Sequence, residues 1–571
     1  MAKHSWETVY PEDVDWNMKI DPKPIPQILD EAAQAAGGRT MIDFLGRRFS
    51  FADLHDQANR AAKGLQALGI GPDTRVGLFV PNVPQYIPAM FGTLKTGATA
   101  VNLSPLLAPR ELANMIEDSG TKVLITIDLK LLYDRIPALL ADTCLETVIV
   151  ARMANALPFP KNKLYGIAKK KAIATFPLDD SHMRFEDLIA NDGAYAPVEI
   201  DPERSVAFLQ YTGGTTGSPK GAMLSHRAVT AADAMYGAWT PQFREGLPEE
   251  TKVVLVLPLF HIYGLSAVLM GAIRDTAEII LYPQPDIPLI LKDIARKKPN
   301  VLPGVPTLFT ALANHPNAAG TDFSSLKYCA SGGAPLPPEV REHFQNVTGV
   351  AVYEGYGLTE TSPAGTAHVR ANAYRVGSCG VPLPGTEIEI RSLEDGATKM
   401  PVGEIGEICI KGPQLMHGYW NREEETKEAL RDGWFYTGDT GYLDADGYLF
   451  IVDRKKDLII SSGFNIYPRN VEDAIYENDA VEEVTVIGIK DDYKGEVPKA
   501  FVKLRAGASL TVEALKASLT EKLAKYEVPA EIEFRDALPK TPVGKLSKKE
   551  LVAEEEAKRA AAKSQAGSQA G

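Results

Sequence analysis

Cysteine is scarce in this chain, with four in 571 residues. Cys144, Cys329, Cys379 and Cys409 lie far apart, with no C-x-x-C spacing. That argues against zinc and against a disulfide framework, and it fits a reducing compartment. Positive charge is short as well: 61 Lys and Arg against 74 Asp and Glu give a net charge of −13. Broad nucleic-acid binding is therefore not expected. The first residues, "MAKHSWETVYPEDVDW", lack an apolar h-region, so no signal peptide is read there. One run, "VVLVLPLFHIYGLSAVLMGAI" at 253–273, is long enough to span a bilayer. Pro258, His261, Tyr263 and Gly264 break its centre, so a buried strand, a loop and a buried helix are expected instead. No internal repeat is found.

A glycine-rich loop is what stands out in their place. "YTGGTTGSPKGAMLSH" (211–226) packs Gly213, Gly214, Gly217 and Gly221 among Thr212, Thr215, Thr216, Ser218 and Lys220. Glycine lets backbone N–H groups converge on an anion, threonines add donors, and lysine adds a point charge. This inventory suits a polyphosphate. It is not the Walker pattern, because Pro219 separates Ser218 from Lys220 and Gly221 follows the lysine. The flanking "SVAFLQY" and "GAMLSH" read as short strands, with a helix from about His226.

Composition, 45% hydrophobic and 24% charged, and length together predict more than one globular domain. The first half alternates helix ("FADLHDQANRAAKGLQALGI", "PQYIPAMFGTLKTG", "PRELANMIEDSG") with strand ("RVGLFV", "ATAVNLS", "TKVLITI"). From about residue 375, turns multiply into a β-rich stretch. Past "YLFIVDRKKDLII" a compact α+β unit follows. The predicted fold class is α/β: a large N-terminal domain of βαβ layers plus a β-rich subdomain (1–454), and a small mobile α+β domain (455–552). The segment 553–571 lacks bulky apolar residues and is expected to be a disordered tail.

Three further clusters accompany the loop. "YEGYGLTETSP" carries Tyr356, Gly357, Thr359 and Glu360; "GWFYTGDTGYLDADGYLFIVDRKKD" carries Asp439, Arg454 and Lys456; "LPKTPVGKLSKKEL" presents Lys545 behind a Pro-Val-Gly turn. Each alone has a structural explanation. Together and in this order, with "KGAML", "KGPQ-M-GYW" and "IVDRKKD-I-SGFN-YP", they resemble the acyl-adenylate-forming superfamily over roughly residues 20–550, and bacterial long-chain fatty-acid–CoA ligases in particular.

The resemblance implies ATP, Mg²⁺ and coenzyme A as cofactors and a long-chain fatty acid as substrate. It implies that Thr212, the Gly213–Gly217 loop with Gly214, Thr215 and Thr216, and Lys220 hold phosphates, and that Thr359 hydrogen-bonds them. Glu360 is the Mg²⁺ ligand, with Thr212 as a second. Gly332, Gly333 and Ala334 line the adenine site, Tyr356 stacks on the base beside Gly357, and Asp439 and Arg454 meet the ribose. Lys545 is the catalytic lysine, Lys456 the hinge, and Ser462 with Gly463 the thiol route. His261 falls beside the acyl pocket and reads equally as a core histidine. It stands where amino-acid-activating relatives carry an aspartate, which disfavours an α-amino acid. Leu259, Ile262, Leu265, Val268, Leu269 and Met270 give an apolar setting that suits a hydrocarbon chain, although such side chains also line ordinary cores.

Alternatives are a ligase for a medium-chain or aromatic acid, an ATP-driven switch making ADP, and a non-catalytic nucleotide- or acyl-binding protein. The expected location is cytoplasmic. The basic segment "KNKLYGIAKKKAIATF" (161–176) is a candidate for peripheral contact with the anionic inner face of a membrane. Oligomeric state stays open, a homodimer included.

Overall fold

Apolar residues at three- and four-residue steps put Leu54, Ala58, Ala61 and Leu65 on the buried stripe of helix Phe51–Ala67. Ser50 and Asp53 cap its start reciprocally, at 3.0 and 2.9 Å. That stripe packs on helix Tyr86–Lys95, every residue of which is buried. Such helices cover parallel strands on both faces, which is why the strands themselves are almost continuously apolar.

The computed structural model describes residues 4–569, apart from 213–218, 244–247, 249, 370–373, 462, 463, 492, 493, 542 and 543. Among the described residues the strands form sheets of nine, seven, five and five strands. In the nine-stranded sheet, Val352–Tyr356, Tyr328–Ser331, Val301–Gly304, Lys252–Leu255, Glu278–Leu281 and Thr40–Phe44 run parallel in that spatial order. Thr40–Phe44 joins the later strands in register, Ile42 opposite Ile279. The seven-stranded sheet ends on Val206–Thr212 and its antiparallel neighbour Lys220–Ser225. Both sheets share one core. The β-rich expectation near residue 375 corresponds to an antiparallel sheet that includes Glu387–Arg391, Gly406–Lys411, Trp434–Leu443 and Leu449–Arg454.

The C-terminal α+β unit has its own sheet and its own core, built on Ile459, Val471, Ile475, Val484, Ala500 and Leu515. One expectation is corrected here. Instead of a disordered tail from residue 553, a single helix runs Lys548–Gln569. Leu551 is fully buried, Glu555 pairs with Lys499 at 3.0 Å, and Glu554 with Arg535 at 2.7 Å. The sequence there is rich in Ala, Glu and Lys, strong helix formers that need no bulky apolar residue.

The run at 253–273 resolves into strand Lys252–Leu255, a loop, the wide π-helical turns Tyr263–Met270 and helix Gly271–Arg274. No helix among the described residues is long and apolar enough to cross a membrane.

Candidate active site

Parallel strands aim their carboxyl ends at one edge of a sheet, where the chain turns and leaves backbone groups free for a ligand. Three predicted clusters begin at such ends. Thr212 ends Val206–Thr212, Gly332-Gly333-Ala334 follow Ser331, and Gly357 follows Tyr356. Gly357 has no alternative: a Cβ there would lie 1.4 Å from the Pro363 carbonyl oxygen. All these residues open onto one cavity of about 2070 Å³.

Lys220 lies opposite Thr212 in the antiparallel pair, so the glycine loop is closed at its base. Gly213, Gly214, Thr215, Thr216 and Gly217 lie outside the described residues, as do Ser462 and Gly463. Thr359 and Glu360 form a short 3₁₀ turn just past Gly357, and both reach the cavity wall. Burial raises the Glu360 carboxyl above its ordinary range, with the Tyr419 hydroxyl opposing.

Asp439 and Arg454 face each other across neighbouring strands. The Asp439 carboxylate takes Arg454 Nε at 3.2 Å on one oxygen and the Tyr356 hydroxyl at 2.7 Å on the other. Burial raises Asp439, and Arg454 pulls it back. Two strands and the Tyr356 ring are thereby locked at fixed spacing, with further acceptor lone pairs on both oxygens.

Lys545 comes from the small domain. Thr541 accepts from the Gly544 N–H at 2.8 Å and donates its own N–H to Lys545 O at 2.6 Å, a turn that holds Gly544 at φ +83°. That left-handed conformation favours glycine. The Gly544 carbonyl takes the Thr307 hydroxyl at 3.2 Å, docking the turn on the large domain. The Lys545 side chain then runs beside Gly333, its Cε 3.1 Å from where a Cβ would stand. Burial, followed by Arg454, pushes the ammonium down to about 8. Lys456 lines the same cavity and is likewise pushed down to about 8, by burial and then Arg454.

His261 is half-buried at the junction with an apolar arm. Its Nδ1 accepts the Tyr263 N–H at 3.3 Å, which places the proton on Nε2. Burial, then Lys545, pushes it down to about 3, so the ring is neutral. The arm itself is a correction to the expected lining. Leu259, Leu265, Leu269 and Met270 are buried in the core, and only Ile262 and Val268 of that set reach the cavity. The arm is walled instead by Tyr236, Phe243, Ala267, Gly271 and Tyr328. The helix segment is apolar all round, so sequence alone could not say which face meets the cavity.

One side chain of the cavity wall escaped the sequence reading. Tyr419, in "HGYW", donates its hydroxyl to Glu360 Oε1 at 2.8 Å. A glycine followed by two aromatics beyond a strand was the available signal.

Residues 29–420 match the family model described as AMP-binding enzyme, and residues 470–545 match the AMP-binding enzyme C-terminal domain. The chain belongs to the AMP-binding enzyme family. Two curated relatives named long-chain-fatty-acid–CoA ligase are similar along nearly their whole length. The Bacillus subtilis protein is 41% identical, covering 97% of this chain and 98% of that relative. The Salmonella typhimurium protein is 36% identical, covering 96% and 98%. Among solved structures, an anthranilate CoA ligase in complex with anthranoyl-AMP superimposes with a TM-score of 0.83 at 26% identity, over 95% of this chain and 99% of that one.

As an AMP-binding enzyme the chain uses ATP and CoA. The donor set bears on a divalent cation as well. No group of three or more His, Cys, Asp or Glu that could hold a metal occurs among the described residues. A single buried carboxylate fits Mg²⁺, which keeps waters and takes substrate phosphates as ligands. Glu360 meets that description, with the Thr212 hydroxyl as a second oxygen.

Proposed function

We propose that the protein is an ATP-dependent long-chain fatty-acid–CoA ligase. A fatty carboxylate oxygen attacks the α-phosphorus of ATP, pyrophosphate leaves, and an acyl-adenylate forms. The thiol of coenzyme A then attacks the acyl carbon, AMP leaves, and the thiol proton is lost to solvent. One observation carries the reading. The cavity is continuous from the polar meeting point of Lys545, Glu360 and Asp439 into the apolar arm along Tyr236, Phe243 and Tyr328.

Negative charge builds on the phosphates in the first step, so fixed cations and donors act there most strongly. In this reading Lys545 bridges carboxylate and α-phosphate. Thr212, the Gly213–Gly217 loop and Lys220 hold the outer phosphates, and Thr359 donates to them. Glu360 would hold Mg²⁺, which when bound would supply positive charge to the phosphates. Tyr356 faces adenine between Gly357 and Gly332-Gly333-Ala334, and Asp439 with Arg454 takes the ribose hydroxyls. His261 donates from Nε2 toward the carboxylate. For the second step the small domain, 455–552, swings about Lys456 as a unit relative to 1–454. That brings Ser462 and Gly463 to the thiol route.

The test is a panel of carboxylates of increasing length with ATP, Mg²⁺ and CoA. AMP and pyrophosphate are the expected products, with kcat/KM rising toward long chains. ADP and orthophosphate as primary products would overturn the reaction, and preference for an aromatic acid would overturn the substrate.

A second observation bears on location. Helix Lys161–Ala168 buries none of its residues, and Phe159, Leu164 and Ile167 are 80%, 55% and 79% exposed. Lys161, Lys163, Lys169, Lys170 and Lys171 surround them. In our reading this patch rests on an anionic membrane surface. Tyr165 and Phe176 pack on the core instead, so the exposed face is narrower than the sequence implied. Changing Lys169, Lys170 and Lys171 together to Glu should reduce sedimentation with phosphatidylglycerol vesicles. Equal sedimentation would retire the idea.

A further inference from the structure

Two opposite charges must be held apart yet fixed at the phosphate end of the cavity, the Lys220 ammonium and the Glu360 carboxylate. One side chain touches both. Tyr419 donates its hydroxyl to Glu360 Oε1 at 2.8 Å, and Lys220 Nζ lies over its ring, 5.1 Å from the centroid.

The backbone gives this side chain little freedom. Met416 N–H donates to the Glu360 carbonyl at 2.8 Å, tying the segment to the same residue its tyrosine reaches. His417 N–H donates to Met223 O, Met223 N–H to Gly418 O, and Trp420 N–H to Gly221 O, at 2.9, 2.9 and 2.8 Å. Residues 417–420 are thus knitted along Lys220–Ser225, the strand that leaves the glycine loop. Tyr419 N–H is taken by the Thr426 hydroxyl at 2.9 Å.

We infer that Tyr419 is a positioning residue for the metal–triphosphate complex: its hydroxyl orients Glu360, leaving the second oxygen to the cation, and its ring seats Lys220. This rests on the ligase reading above. A carboxylate with one oxygen hydrogen-bonded keeps a single orientation, and partners of this kind set metal affinity without touching the metal. The ring face offers the ammonium an electrostatic seat that a water shell would not fix in place.

The test uses the full-length protein, Mn²⁺ as probe, and a non-hydrolysable ATP analogue. In Tyr419→Phe, Mn²⁺ binding in the presence of the analogue, read by electron paramagnetic resonance, should weaken about tenfold or more. Metal-free analogue binding and acyl transfer from synthetic acyl-adenylate to CoA should stay near wild-type values, with the melting temperature lowered by only the few degrees that one lost buried hydrogen bond costs. Tyr419→Leu, which also removes the ring, should weaken metal-free analogue binding by roughly two- to fivefold. Mn²⁺ affinity in Tyr419→Phe within twofold of wild type would overturn the inference. So would equal losses with and without metal, since those mark a merely structural tyrosine. Wild-type protein that fails to bind the analogue at all would instead bring down the ligase reading, and this inference with it.

Discussion

The two ends of the cavity are built on opposite plans. At the polar end several groups are fixed by directional bonds: Asp439 by Tyr356 and Arg454, Glu360 by Tyr419, and the turn before Lys545 by Thr307. The apolar arm is walled mainly by aromatic rings, small residues and Val268, with one locked polar group beside Gly271: Arg274, paired to Asp233 and Asp275 at 2.6 and 3.0 Å. Directional bonds fix chemistry, whereas apolar walls fix only shape. Single substitutions should therefore abolish reaction at one end and merely retune selectivity at the other.

The strongest way to break that contrast is Lys545→Ala. Losing one preorganised cation at a charge-building transition state costs about 3–4 kcal/mol, a hundred- to a thousandfold in adenylation rate. Acyl transfer from synthetic acyl-adenylate should proceed near the wild-type rate. Equal slowing of both half-reactions in stopped-flow assays would show that the lysine serves both steps. The pH dependence follows with its sign. A lysine lowered to about 8 is a cation below that pH and loses its charge above it. Adenylation kcat/KM, which reports the free enzyme, should fall roughly tenfold per unit above pH 8. In Lys545→Arg this alkaline limb should disappear, because the guanidinium stays charged.

The acyl arm predicts a different kind of change. Gly271→Phe should leave adenylation of a short acid intact and cut the hexadecanoate-to-octanoate ratio of kcat/KM about tenfold or more, since losing room for even one methylene is worth about 1–3 kcal/mol. A Cβ at this position would meet Arg274 Nη2 at 3.7 Å, an ordinary contact. A uniform loss on both acids would show that the arm is not where the chain lies. His261, at the junction, should show the smallest effect. His261→Phe should cost about 1 kcal/mol, roughly fivefold in KM for the acid. Between pH 5 and 7 the profile should be unchanged, because the ring is already neutral with its value near 3.

What the sequence made legible follows the same division. The Gly/Thr loop was readable from its own chemistry, whereas Glu360, Asp439 and Lys545 took their roles from the resemblance; those the structure describes line one cavity. Lys545 was placed there by resemblance, since nothing in its spacing ties it to Gly333. The alternation of strand and helix over residues 51–127 was readable from periodicity alone. The walls of the arm were not. Leu265 and Val268 are equally apolar, yet the first is core and the second is cavity. Tyr419 was missed because its partners Glu360 and Lys220 are remote in sequence and adjacent only after the strand at 220–225 is paired. The C-terminal helix was missed because a shortage of bulky residues outweighed strong helix propensity.

The parallel pairing of Thr40–Phe44 with Glu278–Leu281 has a consequence in time. On the ribosome the seven-stranded sheet, complete by Ser225, can close first. The strand around Ile42 must wait until Ile279 has emerged. At about 5–20 residues per second that interval is roughly 10–50 s. Throughout it, Met41, Ile42 and Phe44, all fully buried at the end, have no partner strand to cover them on that side. The strand around Ile42 is therefore an apolar edge, unpaired on one side throughout that interval and open to mispairing with other nascent chains.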